Sequence, residues 1–316
     1  MAINKMMMAA LRALSYADID VKKNYKLDRA INRMTKPSLK ILYKLFDYSI
    51  MLDDHEIPVR VFLPKEQRSN QVLLFFHGGG WVSGDIESYT KPCAVLANQT
   101  GRRVVSVDYR LAPEHPFPLG LRDCYQVARE LFTHAEQLDT TAEDIVLIGD
   151  SAGGNLAAAV SLMARDKQEF QVHRQILFYP STYNDHTESS PFHSITENGT
   201  DYLLTSKRIQ DYMELYIQNE KDMMSPYFAP LLAHDLSHQP KTLIITAQYD
   251  PLRDEGEAYG RKLKENGNRV EIHRIPDALH GFFSLPVRFA HVKQAYYLMN
   301  LFLDEVSEDE KRLEQT

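Results

Sequence analysis

Ile145-Val146-Leu147-Ile148-Gly149-Asp150-Ser151-Ala152-Gly153-Gly154-Asn155-Leu156 is the stretch on which the fold turns. Four apolar residues suit a buried strand, G-x-S-x-G marks a sharp turn, and helical spacing runs from Ala152 to Lys167. That order of strand, turn and helix puts Ser151 at the tip of the turn. Small residues are needed two positions on either side, because a side chain there would collide with neighbouring backbone. Glycine is scarce elsewhere, with only 14 in 316 residues. Seven of them fall in two clusters, Gly78-Gly79-Gly80 with Gly84, and Gly149 with Gly153-Gly154. The only tryptophan, Trp81, abuts the first cluster. Such concentration marks local backbone demands.

Working outward, short β-rich runs alternate with helix-length segments from residue 57 onward. The runs are Val59 to Leu63, Val72 to Phe76, Arg103 to Val107, Ile145 to Ile148, Gln175 to Tyr179, Leu243 to Thr246 and Val270 to Ile275. Several are near-continuous apolar strings, as expected of strands covered on both faces. Helices are predicted over Tyr89 to Gln99, Leu119 to Ala135, Ala152 to Lys167, Glu255 to Asn266 and Val287 to Val306. Alternation of this kind predicts a mostly parallel α/β sheet joined by right-handed crossovers. Residues 1–50 read as a helical arm, with Ile41, Leu42, Leu45 and Phe46 at helical spacing. Residues 51–316 read as the catalytic domain. Within it, about 181–228 breaks the rhythm and carries a predicted helix at Ser206 to Gln218. This insertion is expected to lie above the sheet and to form a cap with the arm.

Composition closes several doors. Thirty-six Lys and Arg against 43 Asp and Glu give a net charge of −7, so no nucleic-acid partner is expected. Cys93 and Cys124 are too few for a disulfide framework and too far apart for a metal or redox motif; they read as buried free thiols. No apolar run approaches the roughly 18–20 residues of a membrane span. Arg12 interrupts the apolar start, Met6 to Leu11, before it reaches the length of a secretory signal. A cytoplasmic protein is expected.

The chemistry centres on Ser151. A serine hydroxyl is a weak nucleophile until a base takes its proton. Asp250, in Gln248-Tyr249-Asp250-Pro251, and His280, in Leu279-His280-Gly281-Phe282, each follow a predicted strand. Catalytic groups of open α/β sheets gather at the carboxyl ends of strands, so all three residues fall on one edge. The order serine, acid, histidine suits a relay in which Asp250 orients His280 and His280 moves the proton. Asp254, four residues on, competes for the acid role but fits the first turn of the next helix, where a carboxylate complements the dipole. Asp150 fits a brace for the turn or a substrate contact. His77-Gly78-Gly79-Gly80-Trp81 leaves the strand Val72 to Phe76 directly. Bare glycine amides can receive an oxyanion there, and missing Cβ atoms leave a ligand room. Trp81 fits either a wall of the acyl site or core packing. Arg110 and Glu114 are expected to pair within a proline-stiffened loop.

His77 to Trp81, Gly149 to Leu156, Asp250-Pro251-Leu252-Arg253-Asp254-Glu255, His280-Gly281-Phe282 and Asp108-Tyr109-Arg110-Leu111-Ala112-Pro113-Glu114 together resemble the hormone-sensitive-lipase-like family of α/β-hydrolases. Bacterial acetyl esterases and arylesterases are the most similar branch. The resemblance covers about residue 57 to the C-terminus. It implies an eight-stranded, mostly parallel sheet with helices on both faces and a helical cap. It also implies hydrolysis of short-chain acyl esters without a cofactor or metal. The motif match makes Gly79, Gly80 and Ala152 the oxyanion donors, with Gly78, Trp81 and Asp150 as candidate substrate contacts. The expected partner is a small-molecule ester, and a homodimer is compatible with the chain. An amidase, lactonase or peptidase would share the same three residues, and a ligand-binding receptor would share the fold.

Overall fold

The computed structural model describes residues 12, 15, 21–35, 43–52 and 54–305. The apolar start, Met6 to Leu11, and most of the remaining first 20 residues lie outside the described residues, as do residues 36–42.

The eight strands are β1 (Leu45–Met51), β2 (Glu56–Phe62), β3 (Val72–Phe76), β4 (Arg103–Val107), β5 (Ile145–Asp150), β6 (Arg174–Phe178), β7 (Lys241–Tyr249) and β8 (Val270–Leu279). They form one sheet in the order β1-β2-β4-β3-β5-β6-β7-β8. The pairs β1/β2 and β2/β4 are antiparallel, and the other five pairs are parallel. All seven predicted runs are strands. The eighth, β1, corrects the helical reading of Leu45 and Phe46. It is an edge strand, so Phe46 (47% exposed) and Met51 (72% exposed) face solvent, and the inside-outside alternation that reveals a strand is blurred.

β3 is apolar at every position, and β5 is apolar from Ile145 to Ile148, because both faces are covered. Val72, Leu74 and Phe76 of β3 point into one core layer, with Ile145 and Leu147 of β5. Leu73 and Phe75 point into the other, with Val146 and Ile148. This is the two-residue period of a strand. Helices α3 (Leu119–Thr133), α4 (Ala152–Lys167) and α8 (Arg253–Glu265) close the first layer, for example through Leu121, Leu156 and Tyr259. Helices α2 (Thr90–Thr100) and α9 (Ala290–Asp304) close the second through Leu96 and Phe302. Each fully buried side chain of this size contributes roughly 1.5–3 kcal/mol before chain entropy is set against it. Both cysteines are free and buried, as expected.

Residues 181–228 hold α5 (His193–Asn198), α6 (Ser206–Tyr216) and the single turn α7 (Glu220–Met223). The arm contributes α1 (Val21–Thr35), which packs on α6. Lys22 of α1 pairs with Glu214 and lies 3.6 Å from Asp211. No helix among the described residues is long and apolar enough to cross a membrane.

Candidate active site

The parallel register sets where the site lies. β3, β5, β7 and β8 all end at the same edge, and the residues that follow them are His77, Ser151, Asp250 and His280. Ser151 sits between β5 and α4 with φ 56° and ψ −120°, a conformation that costs a non-glycine residue on the order of 1–3 kcal/mol. Its amide donates to the Phe178 carbonyl at 2.9 Å, and its carbonyl accepts from Asn155 at 3.0 Å. The need for small neighbours is now visible. A Cβ on Gly149 would overlap the carbonyl of Gly153, and one on Gly153 would overlap the carbonyl of Phe76.

Ser151, His280 and Asp250 form a continuous row. His280 Nε2 lies 2.9 Å from Ser151 Oγ, and Nδ1 lies 2.7 Å from Asp250 Oδ2. Asp250 is fully buried, and its Oδ1 accepts from the Leu252 amide at 2.9 Å. That burial protects the hydrogen bond from water and fixes the orientation of the imidazole. The Tyr179 ring packs against His280 with centroids 4.7 Å apart. Asp254 lies elsewhere, in the first turn of α8, accepting from Arg253 Nε and the Ser194 amide. Those two donors outweigh burial and hold its carboxyl below the usual carboxylate range.

The glycine loop is held from below. Gly78 does not face the cleft: its amide donates to Asp150 Oδ1 at 2.8 Å and to the Tyr89 hydroxyl at 3.2 Å. Tyr89 in turn donates to Asp150 Oδ2 at 3.2 Å. Burial, with Asp150 beside it, pushes the Tyr89 phenol well above its ordinary pKa, so the hydroxyl stays a donor. Asp150 is therefore a brace between the loop and the serine turn. Gly79 and Gly80 adopt φ 124° and 60°, and the Val82 and Ser83 amides close a turn on the Gly79 carbonyl. The amides of Gly79, Gly80 and Ala152 find no acceptor among the described residues. Trp81 stands at the boundary between cleft and core. It lines the cleft, yet is 3% exposed and stacks on Tyr216 at 4.8 Å with planes 3° apart.

One expected pairing is replaced. Arg110 binds not Glu114 but the buried Asp123 of α3, with Nη2 2.7 Å from Oδ1. Glu114 instead takes Arg29 of α1, at 2.9 and 3.1 Å. The same guanidinium donates to the Val82 and Ala112 carbonyls, each at 2.7 Å. The arm thus grips the glycine loop from outside.

The cleft has a volume of about 300 Å³. The insertion supplies a further part of the lining that no sequence motif marks: Leu203, Leu204, Arg208, Ile209 and Tyr212. The Tyr212 ring lies directly over Gly80, where a Cβ would overlap it. The i, i+4 spacing of Arg208 and Tyr212 was the available signal that they share a face of α6. A second unforeseen feature is the fully buried pair His186 and Glu255, 2.6 Å apart. Glu255 Oε1 also accepts the Thr182 and Tyr183 amides, tying the start of the insertion to α8.

A strained serine on a strand-turn-helix, backed by histidine and a buried acid at one sheet edge, defines a class, the α/β-hydrolases. The family profile described as alpha/beta hydrolase fold matches residues 73–284. An arylesterase of Saccharolobus solfataricus is 38% identical over 241 residues, which are 76% of this chain and 77% of that protein. The Mycobacterium tuberculosis carboxylesterase NlhH is 37% identical over 264 residues, 82% and 79% of the two chains. Among solved structures, the hyperthermophilic esterase of Pyrobaculum calidifontis superimposes with a TM-score of 0.82 at 33% identity, covering 96% of this chain and 98% of that one. The chain belongs to the α/β-hydrolase family, in its hormone-sensitive-lipase-like branch. It is an enzyme of the carboxylic-ester hydrolase class.

Proposed function

We propose that the chain hydrolyses short-chain acyl esters through a Ser151-His280-Asp250 triad and an acyl-enzyme. The observation that carries this reading is the unbroken hydrogen-bonded row from Ser151 Oγ through His280 to Asp250. With Nδ1–H donating to Asp250, the Nε2 lone pair faces the serine hydroxyl. Nε2 takes the serine proton as Oγ attacks the ester carbonyl. The carbonyl oxygen becomes an oxyanion and receives the amides of Gly79, Gly80 and Ala152. Each such donor is worth roughly 2.7–4 kcal/mol of transition-state stabilisation. Ala152 also opens the 16-residue helix α4, whose positive end favours that charge. The imidazolium, steadied by Asp250, then gives its proton to the departing alkoxide. Water enters, His280 takes its proton as the hydroxide attacks the acyl carbon, and His280 then returns the proton to Ser151 Oγ as the acyl C–O bond breaks and the carboxylic acid leaves.

The short-chain preference is supported by a cleft at the low end of the roughly 300–1,000 Å³ range of small-molecule sites. Leu203, Leu204, Ile209 and Tyr212 close it from above. In this reading α1 of the arm and the insertion, about 181–228, form the cap, and β1 moves the start of the catalytic domain from residue 51 to Leu45. The packing of α1 on α6 and the grip of Arg29 support that division. A cytoplasmic location is in keeping with two buried free thiols. Replacing Ser151 by Ala should abolish hydrolysis of p-nitrophenyl butyrate, by about 10⁴-fold or more, with an unchanged circular dichroism spectrum. A variant that kept most of its activity would refute the assignment.

A further inference from the structure

Arg208 is out of place on structural grounds. It stands in the first turn of α6, where the helix dipole disfavours a cation. Its side chain is half-buried and lines the catalytic cleft. Its guanidinium has a single protein acceptor among the described residues, the Leu203 carbonyl, at 3.2 Å from Nη1. Nearby arginines are satisfied differently: Arg29 holds Glu114, Arg110 holds Asp123 and Arg253 holds Glu197 and Asp254. Arg208 pairs with no carboxylate among the described residues, in a chain whose net charge is −7. A guanidinium carries five N–H donors in a planar fork that matches a carboxylate, so most of its capacity faces the cleft unused.

Nothing in the cleft supplies the missing anion. Among the described residues Asp150 is the one carboxylate lining it, and its two oxygens accept from Gly78 and Tyr89. His280, which also lines the cleft, is held by Asp250. Arg208 lies one helical turn from Tyr212, whose ring covers Gly80 beside Ser151. Arg208 and Ser151 line the same cleft of about 300 Å³, so a substrate held at Ser151 shares that space with the guanidinium.

We infer that Arg208 is a specificity-determining residue that binds a carboxylate on the substrate, so the preferred substrates are small esters bearing a second, anionic group. This rests on the esterase reading above and adds the chemical class of the ester. The carboxylate comes from the acyl part or from the alcohol part, and the two sources are separable by matched probes.

The experiment measures kcat/KM for two pairs of esters, each normalised to its rate of alkaline hydrolysis. In the first pair, mono-p-nitrophenyl glutarate and p-nitrophenyl pentanoate differ in carrying a carboxylate at the acyl end. In the second, para-acetoxybenzoate and para-acetoxybenzamide differ in the same way on the alcohol side. The wild type should favour the anionic member of one pair, and the ratio should fall as salt rises to about 0.5 M. In Arg208→Gln the ratio should drop by about tenfold or more, and Arg208→Glu should invert it, while Arg208→Lys keeps part of it. The salt series on the wild type reads the same interaction without any variant, should Arg208→Gln fold poorly. Ratios that stay within about twofold across the variants and across the salt series would overturn the inference, leaving the esterase reading intact. Failure of the wild type to hydrolyse any of the four esters would overturn both.

Discussion

At the serine turn after β5 the chain is held by backbone against backbone; in the layer that covers the sheet edge, α1 and α6 are held by side chains. Gly149 and Gly153 admit no Cβ, because carbonyls of Gly153 and Phe76 respectively occupy that space. Ser151 keeps its left-handed backbone because the Phe178 carbonyl and the start of α4 hold both of its ends. The covering layer has no such constraint. It is fastened by Arg29 to Val82, Ala112 and Glu114, by Lys22 to Asp211 and Glu214, and by Glu255 to Thr182, Tyr183 and His186. Steric constraints tolerate no substitution and specify chemistry. Polar fastenings are individually replaceable, so the covering layer can vary its contacts and with them the substrate.

The sharpest way to break that contrast is a glycine pair. Gly153→Ala should destabilise the protein by about 3 kcal/mol or more, or prevent folding, because its new methyl meets a fixed carbonyl. Gly256→Ala, inside α8, places its methyl 3.4 Å from Pro180, an ordinary contact. It should be neutral or stabilising by up to about 1 kcal/mol. Urea midpoints for the two variants measure this directly. Equal midpoints would mean that backbone sterics do not dominate at the serine turn.

Arg29→Ala tests the other region and should have an intermediate effect. The Val82 carbonyl at the end of the glycine loop, the Ala112 carbonyl of the proline-stiffened loop and the Glu114 carboxylate lose their donor, at a cost of about 1–3 kcal/mol. Because the loop presents Gly79 and Gly80, kcat should fall by more than KM rises. Lysine at this position keeps the charge but not the fork, so Arg29→Lys should recover only part of the loss. A variant with wild-type stability and kcat would show that the arm merely rests on the loop.

The smallest effect concerns pH. Burial alone would raise the Glu114 carboxyl, but the Arg29 hydrogen bonds outweigh it and hold the pKa below its ordinary value. A depressed carboxylate adds stability above its unfolded value, near 4.5, and that stability disappears as pH falls through the folded value. Glu114 is 42% exposed, so solvent screening keeps the contribution small. The urea midpoint of the wild type should exceed that of Glu114→Gln at pH 7, and the gap should close below about pH 4.5. A gap constant down to pH 3 would assign the difference to packing.

The same contrast explains what the sequence disclosed. Seven strands were legible because most carry apolar runs of the kind that strands covered on both faces require, and Ser151, Asp250 and His280 because each follows one of them. β1 was hidden because an edge strand exposes Phe46 and Met51, and Leu45 and Phe46 continue the helical spacing of Ile41 and Leu42. The replacement of Arg110–Glu114 by Arg110–Asp123 and Arg29–Glu114 was hidden for another reason. An ion pair 85 residues apart leaves no local spacing to detect. The roof residues Arg208 and Tyr212 share a helix face, but nothing in α6 says what that face covers. Steric demands are written locally in glycine; polar fastenings are written only in the fold.

The central claim is that Ser151, activated by His280, is the nucleophile. Intact-protein and peptide mass spectrometry after treatment with a small fluorophosphonate tests it most directly. The account predicts one adduct per chain, on Ser151, lost in Ser151→Ala and strongly slowed in His280→Ala. Labelling of another residue, or an undiminished rate without His280, would contradict it.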